Sequence, residues 1–159
     1  MGKAILICGK ICSGKSTYAA RLQKETNAVL LSVDEIMLDL FGLYAGEKHD
    51  EYTEKIQKYL FEKSIEIINS GSDVVLDWGF WAKQKRTQAR SFYSNRNIEC
   101  ELYYVDVNDA AWAERIAYRN KAVQEGTAKA YVIDSGLMKK FERSFEPPSE
   151  DEIDVRISQ

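Results

Sequence analysis

The feature that most limits what this chain can fold into is Gly9-Lys10-Ile11-Cys12-Ser13-Gly14-Lys15-Ser16-Thr17, which fits the pattern G-x-x-x-x-G-K-[ST]. A loop of this kind works between a buried strand and the N-terminus of a helix, because it offers one anion a series of backbone N–H groups and the positive end of a helix dipole. Both flanks are present. Ala4-Ile5-Leu6-Ile7-Cys8 is a short apolar run suited to a buried parallel strand, and residues 15–23 read as a helix.

Each position in the loop has a physical task. Gly9 and Gly14 free the backbone so that the stretch through Lys10, Ile11, Cys12 and Ser13 curls its N–H groups into one concavity. Lys15 is expected to reach the β- and γ-phosphates of a nucleotide as a point charge. The Ser16 hydroxyl is expected to ligate Mg²⁺, and Thr17 to add a contact to the α-phosphate.

The remaining pattern alternates strand and helix. Ala28-Val29-Leu30-Leu31-Ser32, Asp73-Val74-Val75-Leu76-Asp77, residues 98–107 and Ile153-Asp154-Val155-Arg156-Ile157 read as further strands. Helices are expected over 52–69, 83–94, 109–120 with Asn108 as N-cap, and 135–145 before Pro147-Pro148. Right-handed crossovers then give a three-layer α/β fold. Its five-stranded parallel sheet carries helices on both faces and the phosphate loop at the carboxyl ends of the strands. At 159 residues and 45% hydrophobic content the chain is expected to form one domain, residues 1–159.

That geometry selects the other candidate residues. Asp34 follows the second strand by two residues and Asp77 ends the third, so both face the crevice that holds Lys15. Phosphoryl transfer needs one carboxylate to accept the proton of an incoming hydroxyl and another near the metal; Asp34 is assigned the first role and Asp77 the second. Asp34 also suits an N-cap for a short helix over 35–41, and the two roles are compatible. Arg115 and Arg119, four apart on one helix face, are expected to belong to a lid over residues 115–135 that brings positive charge to the reacting phosphate. Arg86 and Arg90 either line the acceptor side or face water, with water preferred for Arg90. Trp78-Gly79-Phe80-Trp81 and Phe41-Gly42-Leu43-Tyr44 either wall an acceptor pocket or pack beneath a loop.

Cys8 and Cys100 read as small core residues of strands. Cys12 reads as a variable loop position, and His49 as a solvated loop residue. The net charge of −3 opposes a broad nucleic-acid-binding surface. Neither a signal peptide, a myristoylation signal nor a membrane span is evident, so a soluble, cytoplasmic protein is expected.

Taken together, Gly9 to Thr17, Ser32-Val33-Asp34-Glu35, Val75-Leu76-Asp77-Trp78-Gly79-Phe80, Arg115-Ile116-Ala117-Tyr118-Arg119-Asn120 and Phe145-Glu146-Pro147-Pro148 resemble the AAA-like group of P-loop kinases related to polynucleotide kinase, zeta toxin and chloramphenicol phosphotransferase. The resemblance spans nearly the whole chain. It implies ATP- and Mg²⁺-dependent transfer of the γ-phosphate to a hydroxyl, with Asp34 as base and Arg115 and Arg119 on the lid. Polynucleotide kinases of this type carry an Arg three residues after the base, where this chain has Met37, so a small-molecule acceptor is preferred to nucleic acid. The chain also ends soon after its last expected strand, which leaves little room for elements flanking the base, so loose base selectivity is expected. The alternatives are a nucleoside or polynucleotide 5′-hydroxyl kinase, or a nucleotide-binding ATPase or switch. Asn120-Lys121-Ala122-Val123 lacks the Asp of a guanine-reading element.

Overall fold

The computed structural model describes residues 1–158. Five strands, β1 (Ala4–Gly9), β2 (Val29–Ser32), β3 (Val74–Gly79), β4 (Cys100–Asp106) and β5 (Val155–Ser158), form one sheet in the order β2-β3-β1-β4-β5. Every pairing is parallel. The connections are α1 (Lys15–Thr26), α2 (Val33–Phe41), α3 (His49–Asn69), α4 (Lys83–Ser94), α5 (Asp109–Gln124) and α6 (Ser135–Ser144). The α/β architecture expected from the sequence is therefore the one observed. The helices expected over 52–69 and 109–120 run longer, His49–Asn69 and Asp109–Gln124, the first by a turn that starts with His49 and the second by a turn that half-buries Ala122 and Val123.

A strand buried on both faces sends alternate side chains into two cores. In β1, Ala4, Leu6 and Cys8 enter the core under α3 and α4, with Ile68, Ala89 and Tyr93. Ile5 and Ile7 enter the opposite core under α1, with Ala19 and Leu22. In β3, Leu76 joins the first core and Val75 the second. Asp77, two residues after Val75, thus leaves the sheet on the side of α1, whose N-terminus carries Ser16.

Both Cys8 and Cys100 lie in strands as expected, and burial pushes their thiols up to about 11 and about 12 respectively. His49 differs from expectation. It is the first residue of α3, half-buried, with its ring edge-on to Tyr131 at 5.6 Å between centroids.

Arg86 and Arg90 depart further from the expected positions. Arg86 is 1% exposed. Its Nη1 donates to the carbonyls of Phe80 (3.0 Å), Trp81 (3.0 Å) and Glu146 (2.9 Å), and its Nε donates to Glu152 Oε1 at 2.8 Å. It fastens the loop after β3 to the segment before β5, so it lines neither an acceptor site nor water. Arg90 donates to the carbonyls of Cys100 and Glu152 and to Asp154 Oδ2. It faces β4 and the tail, because Asp154 and the free carbonyls offer partners that water would otherwise replace.

A buried guanidinium requires its carboxylate, and breaking such a pair costs several kcal/mol. The Arg86 hydrogen bond holds the Glu152 carboxyl at about 2, below its ordinary 4.5. A carboxyl depressed in the folded state contributes stability that is complete above its unfolded value and is lost as pH falls toward the folded one. Thermal unfolding from pH 7 to pH 2.5 should therefore show a fall in midpoint beginning near 4.5, and Glu152→Gln should start lower at neutral pH and lose less on acidification. A Glu152→Gln curve parallel to the unmodified one would refute this assignment.

Candidate functional site

The carboxyl ends of β1, β2 and β3 open into a cleft of about 2430 Å³ lined by the phosphate loop, Asp34, Asp77, Arg115 and Arg119. Pockets for one small ligand are roughly 300–1,000 Å³. This cleft is large enough for two reactants side by side.

The phosphate loop is shaped by two different kinds of constraint. Gly14 is left-handed at φ 94 and stands as N-cap of α1, a conformation that costs glycine least. Gly9 is needed for space instead. A Cβ there would lie 2.8 Å from both Ser13 Oγ and the Val105 carbonyl. Cys12 also adopts a left-handed conformation, at φ 57, and donates its Sγ–H to the Arg115 carbonyl at 3.4 Å. The variable loop position is thus a bridge to α5.

Lys15 folds back over the loop, donating from Nζ to the Lys10 carbonyl at 2.7 Å. Burial pushes its ammonium below the ordinary lysine value, against the pull of Asp77 and then Asp34, while Arg119 adds to the lowering. Asp77 is the complement. Burial raises its carboxyl above the usual range, and Lys15 and a hydrogen bond from Ser16 partly offset that rise. Poorly solvated charges interact more strongly than charges in water, so this group is primed for a polyanion. The oxygen donors Ser16 and Asp77, already in contact, suit a magnesium ion held together with phosphate oxygens. Among the described residues no cluster of three His, Cys, Asp or Glu side chains forms a cation site independent of such a ligand.

Asp34 sits in the first turn of α2, exposed to the cleft. The N-cap of α2 is Ser32, whose hydroxyl accepts from the Glu35 N–H at 3.3 Å. The helix begins two residues earlier than expected, which leaves the Asp34 carboxylate without a capping duty. Met37 is 1% exposed and packs with Val33 and Leu60 between α2 and α3. It faces the helix-helix core, so the residue at this position says less about the acceptor than its place after Asp34 implies.

Helix α5, where the expected lid begins, has no fully buried residue. It is bound to the phosphate loop through a small core of its own, formed by Ile11, Ile133 and Phe141 with Trp112 and Ile116 beside them. Trp112 Nε1 donates to the Ile11 carbonyl at 2.7 Å. Arg115 Nη1 donates to the Ser13 carbonyl at 2.6 Å, and Arg119 Nε to the Tyr131 carbonyl at 3.1 Å. Asn120 pairs with Ile133 in both directions, through its Oδ1 (2.7 Å) and its Nδ2 (2.9 Å). Arg115 therefore braces the loop, and Arg119 lies one turn further out, near enough for its charge to act on Lys15.

The aromatic groups divide between two tasks. Trp78 lines the cleft with one side and packs edge-on against Phe61, while Trp81 meets Phe141 of the small core beside α5. Phe41 stacks on Tyr52, leaving Leu43 and Tyr44 exposed at the rim. Trp112, Thr53 and Tyr131 belong to no motif, and sequence reasoning passed over the bond of Trp112 to the phosphate loop and the place of Thr53 and Tyr131 in the cleft wall.

A family model described as an AAA domain matches residues 5–148. Among solved structures, a protein from Chloroflexus aurantiacus J-10-fl superposes with a TM-score of 0.72 at 17% identity, covering 99% of this chain and 84% of that one. The APS kinase of Mycobacterium tuberculosis, in complex with AMPPNP and APS, gives 0.68 at 18% identity, covering 99% and 88%. A chain of the Pnkp1/Rnl/Hen1 RNA repair complex gives 0.70 at 20% identity, covering 90% of this chain and 43% of that one. At these identities the likeness is one of fold. No curated protein matches the chain significantly.

Proposed function

The chain belongs to the AAA domain family, and from that premise we propose that it is an ATP-dependent kinase that transfers the γ-phosphoryl group to a hydroxyl of a small acceptor. The observation that carries this reading is the charge arrangement at the strand ends. Lys15 and Asp77 lie together in a poorly solvated pocket, and the charge of Asp34 acts on both while Asp34 itself is open to the cleft. A hydrolase can also use such a carboxylate to position water, so it is the size of the chamber, wide enough for a second reactant beside a nucleotide, that favours transfer to an acceptor.

In this reading the loop N–H groups and Lys15 hold the phosphates of ATP and orient the γ-phosphorus toward Asp34. Ser16 and Asp77 would hold magnesium, which when bound supplies neutralising charge to the phosphate oxygens. Asp34 accepts the proton of the acceptor hydroxyl as the acceptor oxygen bonds to phosphorus. The bond from phosphorus to the β–γ bridging oxygen breaks, and ADP leaves with that oxygen. The guanidinium of Arg119 meets the charge that develops, and the lid excludes water that would otherwise compete as acceptor. The APS kinase complex holds a nucleotide analogue together with an acceptor on a similar fold, which supports a two-substrate cleft. Among the described residues no helix is long and apolar enough to cross a membrane.

The test is ADP release with Mg²⁺ against nucleosides, sugars, aminoglycosides, chloramphenicol and a 5′-hydroxyl oligonucleotide. ADP release that depends on an acceptor, with the phosphoester recovered, is expected. Turnover that is the same with and without every acceptor would favour an ATPase or switch.

A further inference from the structure

Among the described residues three hydroxyl oxygens in the cleft wall are buried without a hydrogen-bond partner: Ser13 Oγ belongs to the phosphate loop, while those of Tyr131 and Thr53 stand outside it. Buried hydroxyls are normally paired, because losing water without gaining a partner costs free energy, so an orphaned pair at a cleft calls for a ligand. Their placement is not accidental. The segment after α5 crosses from the lid to the α2–α3 pair, where Lys129 forms an ion pair with Asp39. Tyr131 is fixed within it by the Arg119 bond to its carbonyl and by the Asn120–Ile133 pair two residues on. Its ring stands edge-on to His49, and Thr53 lies one turn after His49 on the same face of α3. The phenol also senses the charge of Asp34. Both hydroxyls therefore lie on the acceptor side of the proposed base.

We infer that Tyr131 and Thr53 bind a second oxygen of the acceptor, adjacent to the hydroxyl that Asp34 deprotonates, and that the acceptor is a vicinal diol or polyol. This rests on the kinase reading above. The reacting oxygen is not itself their partner. Its proton goes to Asp34 and its lone pair to phosphorus, and a hydrogen bond donated to it would weaken it as a nucleophile. A neighbouring hydroxyl can donate to one of the two side chains and accept from the other, which matches a pair of groups that each do both. The oxygens are covered in this conformation, so the segment opens to admit the acceptor and then closes with the acceptor oxygen between them.

A site built to hydrogen-bond a substrate hydroxyl discriminates strongly against the analogue that lacks it. The experiment compares ADP release with trans-1,2-cyclohexanediol and cyclohexanol, and with propane-1,2-diol and propan-1-ol. Each pair is run with the unmodified protein, Tyr131→Phe and Thr53→Val. The diol members should exceed their partners in kcat/KM by about tenfold or more per hydrogen bond, chiefly through KM. Tyr131→Phe and Thr53→Val should each lower that ratio by about tenfold, while the KM for ATP of each stays within about twofold. Equal turnover of diols and mono-alcohols would overturn the inference and leave the kinase reading standing, as would a Tyr131→Phe variant that lowers kcat for both members alike. Turnover on another alcohol class with none on any diol would also overturn it. If no alcohol of any class raises ADP release, the kinase reading itself fails and the inference falls with it.

Discussion

Asp34→Asn is expected to reduce acceptor-dependent kcat by about 10²–10⁴-fold, the range set by removing a positioned general base, while the affinity for ATP changes by less than about twofold. The separation is expected because of where the carboxylate stands. Ser32 caps α2, Asp34 is exposed, and among the described residues its carboxylate makes no fold-stabilising hydrogen bond. An amide of the same shape therefore leaves the helix and the phosphate loop intact and removes only the ability to accept a proton. Single-turnover transfer with a saturating acceptor measures the loss, and nucleotide titration of the same protein measures what is retained. A thermal midpoint within about 2 °C of the parent would show that the helix start is undisturbed, given that 1 kcal/mol moves the midpoint by a few degrees at this size. Transfer that survives the substitution would remove Asp34 from the mechanism.

Asp77→Asn provides the contrast. That carboxylate is buried beside Lys15 and Ser16, so its loss leaves the half-buried Lys15 ammonium less well compensated and, in the proposed mechanism, a metal donor missing. Nucleotide affinity and transfer should fall together. Only a pair of variants behaving in these two different ways fits a base and a metal ligand at neighbouring strand ends.

The parts of this molecule that were legible in the sequence are those fixed by short-range rules. The phosphate loop is a contiguous motif, and the apolar runs in β1 and β3 are long enough to show burial on both faces. Once the strands are parallel, Asp34 and Asp77 must meet Lys15, because topology brings strand ends together whatever lies between them. Arg86 was illegible for the opposite reason. Its partners Glu146 and Glu152 are 60 and 66 residues away, and an Arg on a polar helix looks the same whether it faces water or a buried carbonyl cage. Met37 misled in a similar way. Its distance from Asp34 is a matter of sequence, but its direction is set by packing against Leu60. Tyr131 and Thr53 are ordinary residues whose significance arises only when the lid segment crosses the cleft and leaves both hydroxyls without partners.

The two arginines of the proposed lid make the last separation. Arg119→Ala is expected to lower kcat by about 10³-fold, the lower end of what an arginine supplied to a phosphoryl group contributes, with only a few-fold rise in the KM for ATP. Its charge reaches Lys15, and its Nε bond to the Tyr131 carbonyl orients the guanidinium from behind, leaving Nη groups to address the transferring phosphate. Arg119→Lys should recover little of the loss, because an ammonium cannot hold the Tyr131 carbonyl and reach the phosphate at once. Arg115→Ala should behave differently. Its bond to the Ser13 carbonyl holds the phosphate loop against α5, alongside the Cys12 bond to the Arg115 carbonyl, so its removal should raise the KM for ATP more than it lowers kcat. Measuring kcat and KM for both variants at saturating acceptor decides the matter. A matched fall in kcat for Arg115→Ala and Arg119→Ala would place both guanidinium groups on the transferring phosphate, and the division of labour between bracing and catalysis would be wrong.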